Sequence, residues 1–155
     1  MKHRFLLDEN VLYFAILQIN ENGVPDFTAL QLMQNINANC HKIVLNPEIK
    51  KRYSRQLKKL LGGRPALSRP PEFIRNLLYK REKFEEISDA APPFDGEEDF
   101  PEKEDVPIVR ALCQLKAPLV TGEGKEKLLR AVNKMGLPDV AAIKPSEALK
   151  LAQQS

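Results

Sequence analysis

Four acidic residues of this 155-residue chain each lie at the edge of a short apolar run, where strand and helix patterns join. Strands that alternate with helices predict an α/β fold in which a parallel sheet is covered by helices on both faces. Ligands of such sheets bind beyond the carboxyl ends of the strands. The four acidic residues at these joins are therefore expected to converge on one site: Asp8, Glu48, Asp105 and Glu123.

The spacing of apolar residues predicts strands at 3–7, 42–45, 85–88, 118–121 and 140–143. Helices are predicted at 11–21, from Asp26, from Pro47 to the glycines at 62–63, from Pro70, from Val106, at 126–134 and at 145–152. Asn46 before Pro47 is a favoured order for a helix start. The whole chain, 1–155, is predicted to form one domain.

A carboxylate cluster without nearby His or Cys ligands suits a hard divalent cation, Mg²⁺ or Mn²⁺. Carboxylates brought close together repel one another, and a cation between them relieves that repulsion. The alternative for each acid taken singly is helix capping, worth about 1 kcal/mol. Their joint placement at four strand–helix joins favours the metal site.

The net charge of +3 conceals two opposed segments. Residues 41–83 carry 13 Lys or Arg against 3 Glu, and residues 84–105 carry 10 acids against one Lys. A basic segment predicts a polyanionic partner, although solvated helix faces would explain the same pattern. The basic face of the third helix consists of Lys50, Lys51, Arg55, Lys58 and Lys59, which lie off its apolar stripe.

Residues 89–105 are expected to form an exposed, mobile acidic loop, because they contain eight acids and three prolines. No apolar stretch approaches the ~20 residues of a membrane span. The acids at positions 8 and 9 interrupt the apolar N-terminus and argue against a signal peptide. The expected location is the cytoplasm, with no membrane partner.

Other catalytic sets fit the sequence poorly. His3 and His41 precede strands rather than follow them, and residues 121–124 do not form a Ser-centred elbow. The glycines at 62–63 lack the spacing and the Lys of a phosphate-binding loop. Cys40 and Cys113 have no metal-binding spacing and are expected to be buried thiols.

The four acidic joins, in this order, resemble the motifs of the PIN-domain family of metal-dependent ribonucleases, which includes VapC-like toxins. Residues 8–11 resemble the family's first Asp followed by x-Asn-Val, and residues 46–49 resemble the helix start that supplies its Glu. Residues 104–107 resemble the third acid before a helix, and residues 119–123 resemble a strand that ends in Thr-Gly-Asp. The closing join at 143–147 is also similar, so the resemblance covers about residues 3–152.

This resemblance implies a three-layer α/β/α sandwich, frequent homodimers and inhibition by an antitoxin protein. It implies that Asp8, Glu48 and Asp105 are catalytic metal ligands, supported by Asn10 and Thr121. Glu123 departs from the family's usual Asp, and its carboxylate lies one C–C bond, ~1.5 Å, further out. Glu123 either reaches the metal through water or signals weakened catalysis, and Glu126 in the next turn is a candidate substitute.

The leading hypothesis is a Mg²⁺- or Mn²⁺-dependent endoribonuclease that hydrolyses RNA phosphodiester bonds, as the toxin of a toxin–antitoxin pair. The basic residues of the third helix would bind the RNA backbone, because that helix begins beside Glu48. The alternative is a catalytically weakened module on the same fold that binds RNA or protein, with Glu123 as its motivating feature. A third hypothesis is an unrelated α/β protein in which the acids only cap helices.

Overall fold

The protein is represented by a computed structural model that describes residues 2–20, 22–63, 80–122 and 125–154, with the backbone alone at 60–63. The described strands are β1 (Arg4–Leu7), β2 (Lys42–Leu45), β3 (Phe84–Glu86), β4 (Leu119–Val120) and β5 (Ala142–Ile143). The described helices are α1 (Glu9–Leu17), α2 (Thr28–Ala38), α3 (Pro47–Gly63), α4 (Val106–Leu115), α5 (Glu126–Lys134) and α6 (Pro145–Gln153). The helix predicted from Pro70 lies outside the described residues.

The five described strands form one parallel sheet in the order β3-β2-β1-β4-β5. In register, Phe5 lies opposite Ile43 of β2, and Leu7 lies opposite Val120 of β4. The chain moves from β1 outward to β3 and then crosses back to β4 on the other side of β1. Parallel crossovers are right-handed. The connections that run toward β3 therefore place their helices on one face of the sheet, and the connections that run toward β5 place theirs on the other face. The predicted three-layer α/β/α sandwich with a central parallel sheet is confirmed.

Apolar strands form the centre of the core because both faces of the sheet are covered. Phe5, Leu6 and Leu7 of β1 are at most 1% exposed, and the apolar residues of β2 and β4 are also buried. Such continuous apolar runs are typical of parallel strands. Among the described helices, α2 packs against α6 and α1, and α1 also packs against α3.

His41 ties the amino end of the sheet to the C-terminal helix. Its buried ring accepts a hydrogen bond at Nδ1 from the backbone N–H of His3, at 3.0 Å. Its Nε2 lies 2.9 Å from the carbonyl oxygen of Ala152 in α6, so the neutral ring donates there. His41 thus has a structural role at the end of the sheet opposite to the acidic joins.

The acidic segment 89–105 is anchored to the domain at several points. Phe100 is buried, and its ring meets that of Phe94 edge-on at a centroid distance of 5.9 Å. The guanidinium of Arg110 in α4 forms a two-point ion pair with Glu97, which holds the pKa of Glu97 below its usual value. Two 3₁₀ turns, Glu97–Asp99 and Lys103–Asp105, give local structure to a segment predicted to be an irregular loop.

Two smaller expectations differ from the structure. Helix α1 ends at Leu17 rather than at residue 21, because Gln18 adopts a left-handed conformation with φ 57°. Cys40 is exposed rather than buried, whereas Cys113 is half-buried and burial raises the pKa of its thiol. None of the described helices is both long and apolar enough to cross a bilayer.

Candidate functional site

Buried polar residues gather at the carboxyl ends of the strands. Among the described residues, five polar or charged residues are buried, and one of them is His41 at the opposite end. Of the other four, Asp8 follows β1, Asn46 follows β2, Asp105 precedes α4 and Thr121 follows β4. Burying polar groups is costly unless they are paired, so their concentration at one end of the sheet marks a candidate site.

The hydrogen bond between Thr121 and Asp8 spans the point where the strand order reverses. The Thr121 hydroxyl donates to Oδ2 of Asp8 at 3.0 Å, and the backbone N–H of Asp8 donates to the carbonyl of Val120 at 2.9 Å. Open α/β sheets form their ligand crevices at this switch point. The predicted supporting role of Thr121 therefore has a geometric basis, because its hydroxyl orients the Asp8 carboxylate.

The Asp8 carboxylate is held in an environment that disfavours its charge. Asp8 is 2% exposed, and burial raises the pKa of its carboxyl, with a further contribution from the negative charge of Asp105. The Thr121 hydrogen bond, the charge of Lys125 and the backbone N–H of Asn10 oppose that rise. Although Asp8 occupies the N-cap position of α1, its side chain forms no capping hydrogen bond. The contact with the Asn10 N–H is therefore weaker than a capping hydrogen bond of normal geometry, and the best-defined partner of this carboxylate is Thr121.

Asp105 and Asp8 are linked electrostatically, both to each other and to the ammonium group of Lys125. The carboxylate Oδ1 of Asp105 is 3.4 Å from the Lys125 ammonium, whose charge also lowers the pKa of Asp8. Asp105 is 6% exposed and, like Asp8, makes no capping hydrogen bond to the helix that it precedes. Two buried carboxylates thus lie beside one ammonium group at the switch point.

Glu48 reaches the same end of the sheet but is paired with Arg52. The Arg52 guanidinium lies 3.4 Å from Glu48, 3.6 Å from Glu9 and 3.4 Å from the carbonyl oxygen of Glu104. The Arg52 side chain is only 12% exposed, so these contacts compensate a cation that is largely removed from solvent. Arg52 therefore joins α1, α3 and the residue before Asp105, and it engages Glu48, one of the predicted metal ligands.

Asn46 fixes the start of the helix that presents Glu48 and Arg52. Its Oδ1 accepts a hydrogen bond from the backbone N–H of Ile49 at 3.0 Å, which confirms the predicted cap. Its Nδ2 donates to Oε1 of Gln114 in α4 at 3.1 Å. Both polar ends of this buried amide are satisfied, so α3 is held in a defined position against α4.

The sequence predicted four metal ligands, and the structure brings three of their side chains to one end of the sheet. Glu123 lies outside the described residues. Within the described parts of the chain, no three Asp, Glu, His or Cys side chains are grouped closely enough to hold a metal ion. The charge of Asp105 acts on Asp8, whereas Glu48 is turned to Arg52.

The basic residues of α3 are divided between two open grooves. A groove of about 710 Å³ is lined in part by Lys125, which contacts Asp105, and another groove of about 500 Å³ lies on the other side of α3. The first, here called the site groove, is lined by Glu9, Asn10, Tyr13, Phe14, Arg55, Gln56, Lys59, Gly122 and Lys125. The second is lined by residues that include Lys50, Lys51, Arg55 and Lys58. Of the five predicted RNA-binding residues, only Arg55 and Lys59 border the site groove.

Gly122 allows the floor of the site groove to form. A Cβ atom at this position would lie 2.6 Å from Cε2 of Phe14, which is closer than atoms normally approach. Gly122 therefore lets the Phe14 ring pack directly against the chain leaving β4. The Thr-Gly pair of the predicted motif thus serves two purposes, since the Thr orients Asp8 and the Gly admits Phe14.

Arg52 and Lys125 are site residues that the sequence analysis did not single out. Arg52 follows Glu48 by four residues, a spacing that places two side chains on the same helix face and could have indicated their ion pair. Lys125 pairs with Asp105 across 20 positions, and no local pattern signals such a contact.

Comparisons with known proteins do not extend this description. No protein-family model matches the chain, and no curated protein sequence matches it significantly.

Proposed function

We propose that this protein is a divalent-metal-dependent endoribonuclease whose active site is the Asp8–Asp105 pair beside the site groove. The observation that carries the proposal is this pair of buried carboxylates, in which the charge of one raises the pKa of the other, at the topological switch point of the sheet. Acids whose environment disfavours their charge are more common at functional sites than elsewhere.

The donor set fits Mg²⁺ or Mn²⁺ as a two-carboxylate site. Mg²⁺ is usually held by one or two carboxylates, with waters and substrate phosphates completing its coordination. Asp8 and Asp105 would hold the ion, and Glu48 could contribute only if it left Arg52. A bound divalent ion supplies Lewis-acid polarisation of a phosphoryl oxygen and lowers the pKa of water.

The chain's own residues would position the RNA and the acids. The Thr121 hydroxyl keeps the Asp8 carboxylate in a fixed orientation. Lys125, beside the acids, and Arg55 and Lys59, along the site groove, would contact phosphates. Asn10 borders the same groove, one helical turn before Tyr13 and Phe14. The resemblance to PIN-domain toxins extends the proposal to a homodimeric cytoplasmic toxin with an antitoxin partner.

A second candidate function is a non-catalytic RNA-binding module. The observation that favours it is the neutralisation of the acids by the chain itself, through Lys125 on Asp105 and Arg52 on Glu48. In that case the carboxylates would need no metal. Cleavage of a labelled single-stranded RNA separates the two functions: the enzyme requires Mg²⁺ or Mn²⁺ and stops with EDTA, whereas the module leaves the RNA intact.

The division of basic residues between the two grooves predicts different effects for neighbouring lysines. Lys59→Gln should weaken RNA binding and lower the slope of log K against log salt by ~0.7, because one phosphate contact is lost. Lys58→Gln is the matched control, since Lys58 is also exposed on α3 but borders the other groove. The Lys58→Gln variant should bind RNA with the same affinity and the same salt dependence as the wild type. Equal losses in both variants would show that the site groove is not the RNA path.

A further inference from the structure

The two walls of the site groove differ in chemical character. Helix α1 buries Val11, Leu12, Ala15 and Ile16 in the core and leaves Asn10 and Tyr13 half-exposed on the groove side. Residues three apart lie on one helix face, so Tyr13 follows Asn10 along this wall. The opposite wall is formed by α3, with the exposed cations Arg55 and Lys59.

The cations on the α3 wall are exposed. Neither Arg55 nor Lys59 forms an ion pair with any residue in the described part of the chain. In contrast, Arg52 and Lys125 are engaged with Glu48 and Asp105. The site groove therefore has, among the described residues, two cations without an ion-pair partner on one wall and an aromatic side chain on the other, and it is also lined by Lys125, which contacts Asp105.

Tyr13 is well placed for contact with a flat ligand. Its ring meets that of Phe14 edge-on at a centroid distance of 5.8 Å, and Phe14 in turn packs against Gly122. These contacts support the Tyr13 ring from one side, while its position on the groove leaves it half-exposed. A ring supported in this way loses little freedom when a base stacks on it.

We infer that Tyr13 is a base-stacking residue that makes the site groove selective for single-stranded nucleic acid. This inference rests on the proposed function and names the form of its substrate. A single strand has a charged phosphate edge and exposed base faces, which match the cationic and aromatic walls. A duplex hides its base faces, so it cannot stack on Tyr13. The groove volume of about 710 Å³ is in the range of sites that enclose small organic ligands and accommodates a nucleotide.

The test is RNA binding by full-length protein that also carries Asp8→Asn, which is expected to slow cleavage enough for binding to be measured. The probes are a fluorescein-labelled single-stranded 12-mer, its duplex, and a single strand containing 2-aminopurine, whose fluorescence falls when it stacks. Tyr13→Ala should bind the single strand about tenfold more weakly and lose the 2-aminopurine quenching. Tyr13→Phe should keep the single-strand affinity and the 2-aminopurine quenching. Tyr13→Leu, which retains apolar bulk but has no aromatic ring, should behave like Tyr13→Ala. Duplex binding should be the same in all of them.

Unchanged single-strand affinity and quenching in Tyr13→Ala would overturn the inference. If the wild type still cleaves RNA in that case, the proposed function stands and only the role of Tyr13 is wrong. If the protein with native Tyr13 binds no RNA and the wild type cleaves none, the proposed function fails as well. A matching thermal melt for Tyr13→Leu and Tyr13→Phe confirms that a lost affinity does not reflect a lost fold.

Discussion

Asp8→Asn should reduce RNA cleavage by on the order of a hundred- to thousandfold while leaving the protein at least as stable as the wild type. The substitution removes a carboxylate that is proposed to hold the metal, so activity falls. It also removes a charge that is buried beside Asp105, and the Asn side chain can still accept the Thr121 hydrogen bond. A residue that serves only the fold would show the opposite combination, in which stability falls with activity.

The measurement pairs a cleavage assay with a thermal melt in the absence of metal. Asp95→Asn is the matched control, because it makes the same chemical change at an exposed acid of the segment 89–105. It should leave both cleavage and melting temperature unchanged. Cleavage by Asp8→Asn at the wild-type rate would indicate that Asp8 is not a catalytic ligand, or that a contaminating nuclease is responsible.

Asn46→Ala should lower the free energy of unfolding by about 2 kcal/mol. The substitution removes the cap on the buried Ile49 N–H and leaves the half-buried Gln114 without its partner amide. A loss of that size should reduce the melting temperature by roughly 4–8 °C in a chain of this length.

Asn35→Ala provides the comparison for Asn46→Ala. Asn35 donates one hydrogen bond from its side chain to the carbonyl of Gln31 at an exposed position in α2. Its removal should change stability by no more than about 0.5 kcal/mol. Equal melting temperatures for the Asn46→Ala and Asn35→Ala variants would show that the contacts of Asn46 do not determine the position of α3.

The strand ends were predictable because they depend on local patterns. Short apolar runs that lead into a helical spacing located β1, β2 and β4, and they placed Asp8 at the carboxyl end of the first strand. Asp105 ends the 3₁₀ turn Lys103–Asp105 rather than following a strand, so for this residue only the start of α4 was predictable. The cap at Asn46 was predictable for the same reason, since it acts on a residue three positions away.

The pairing of the site residues was not predictable, because it depends on contacts between distant segments. Lys125 meets Asp105 only after α4 and β4 have folded between them. The division of α3 into two grooves depends on where α1 packs, and the basic stripe gives no sign of it. In the acidic segment, the charge count obscured Phe94 and Phe100, whose burial anchors the segment.

Calorimetric titration of Mn²⁺ into the wild type, Asp8→Asn and Asp105→Asn tests the central claim most directly, because it needs no RNA. The wild type should bind Mn²⁺ and melt at a higher temperature in its presence, since a ligand that binds only the folded state stabilises it. Both variants should bind markedly more weakly and lose the stabilisation. No Mn²⁺ binding by the wild type at millimolar concentration, or the same binding in all three proteins, would contradict the metal site at Asp8 and Asp105.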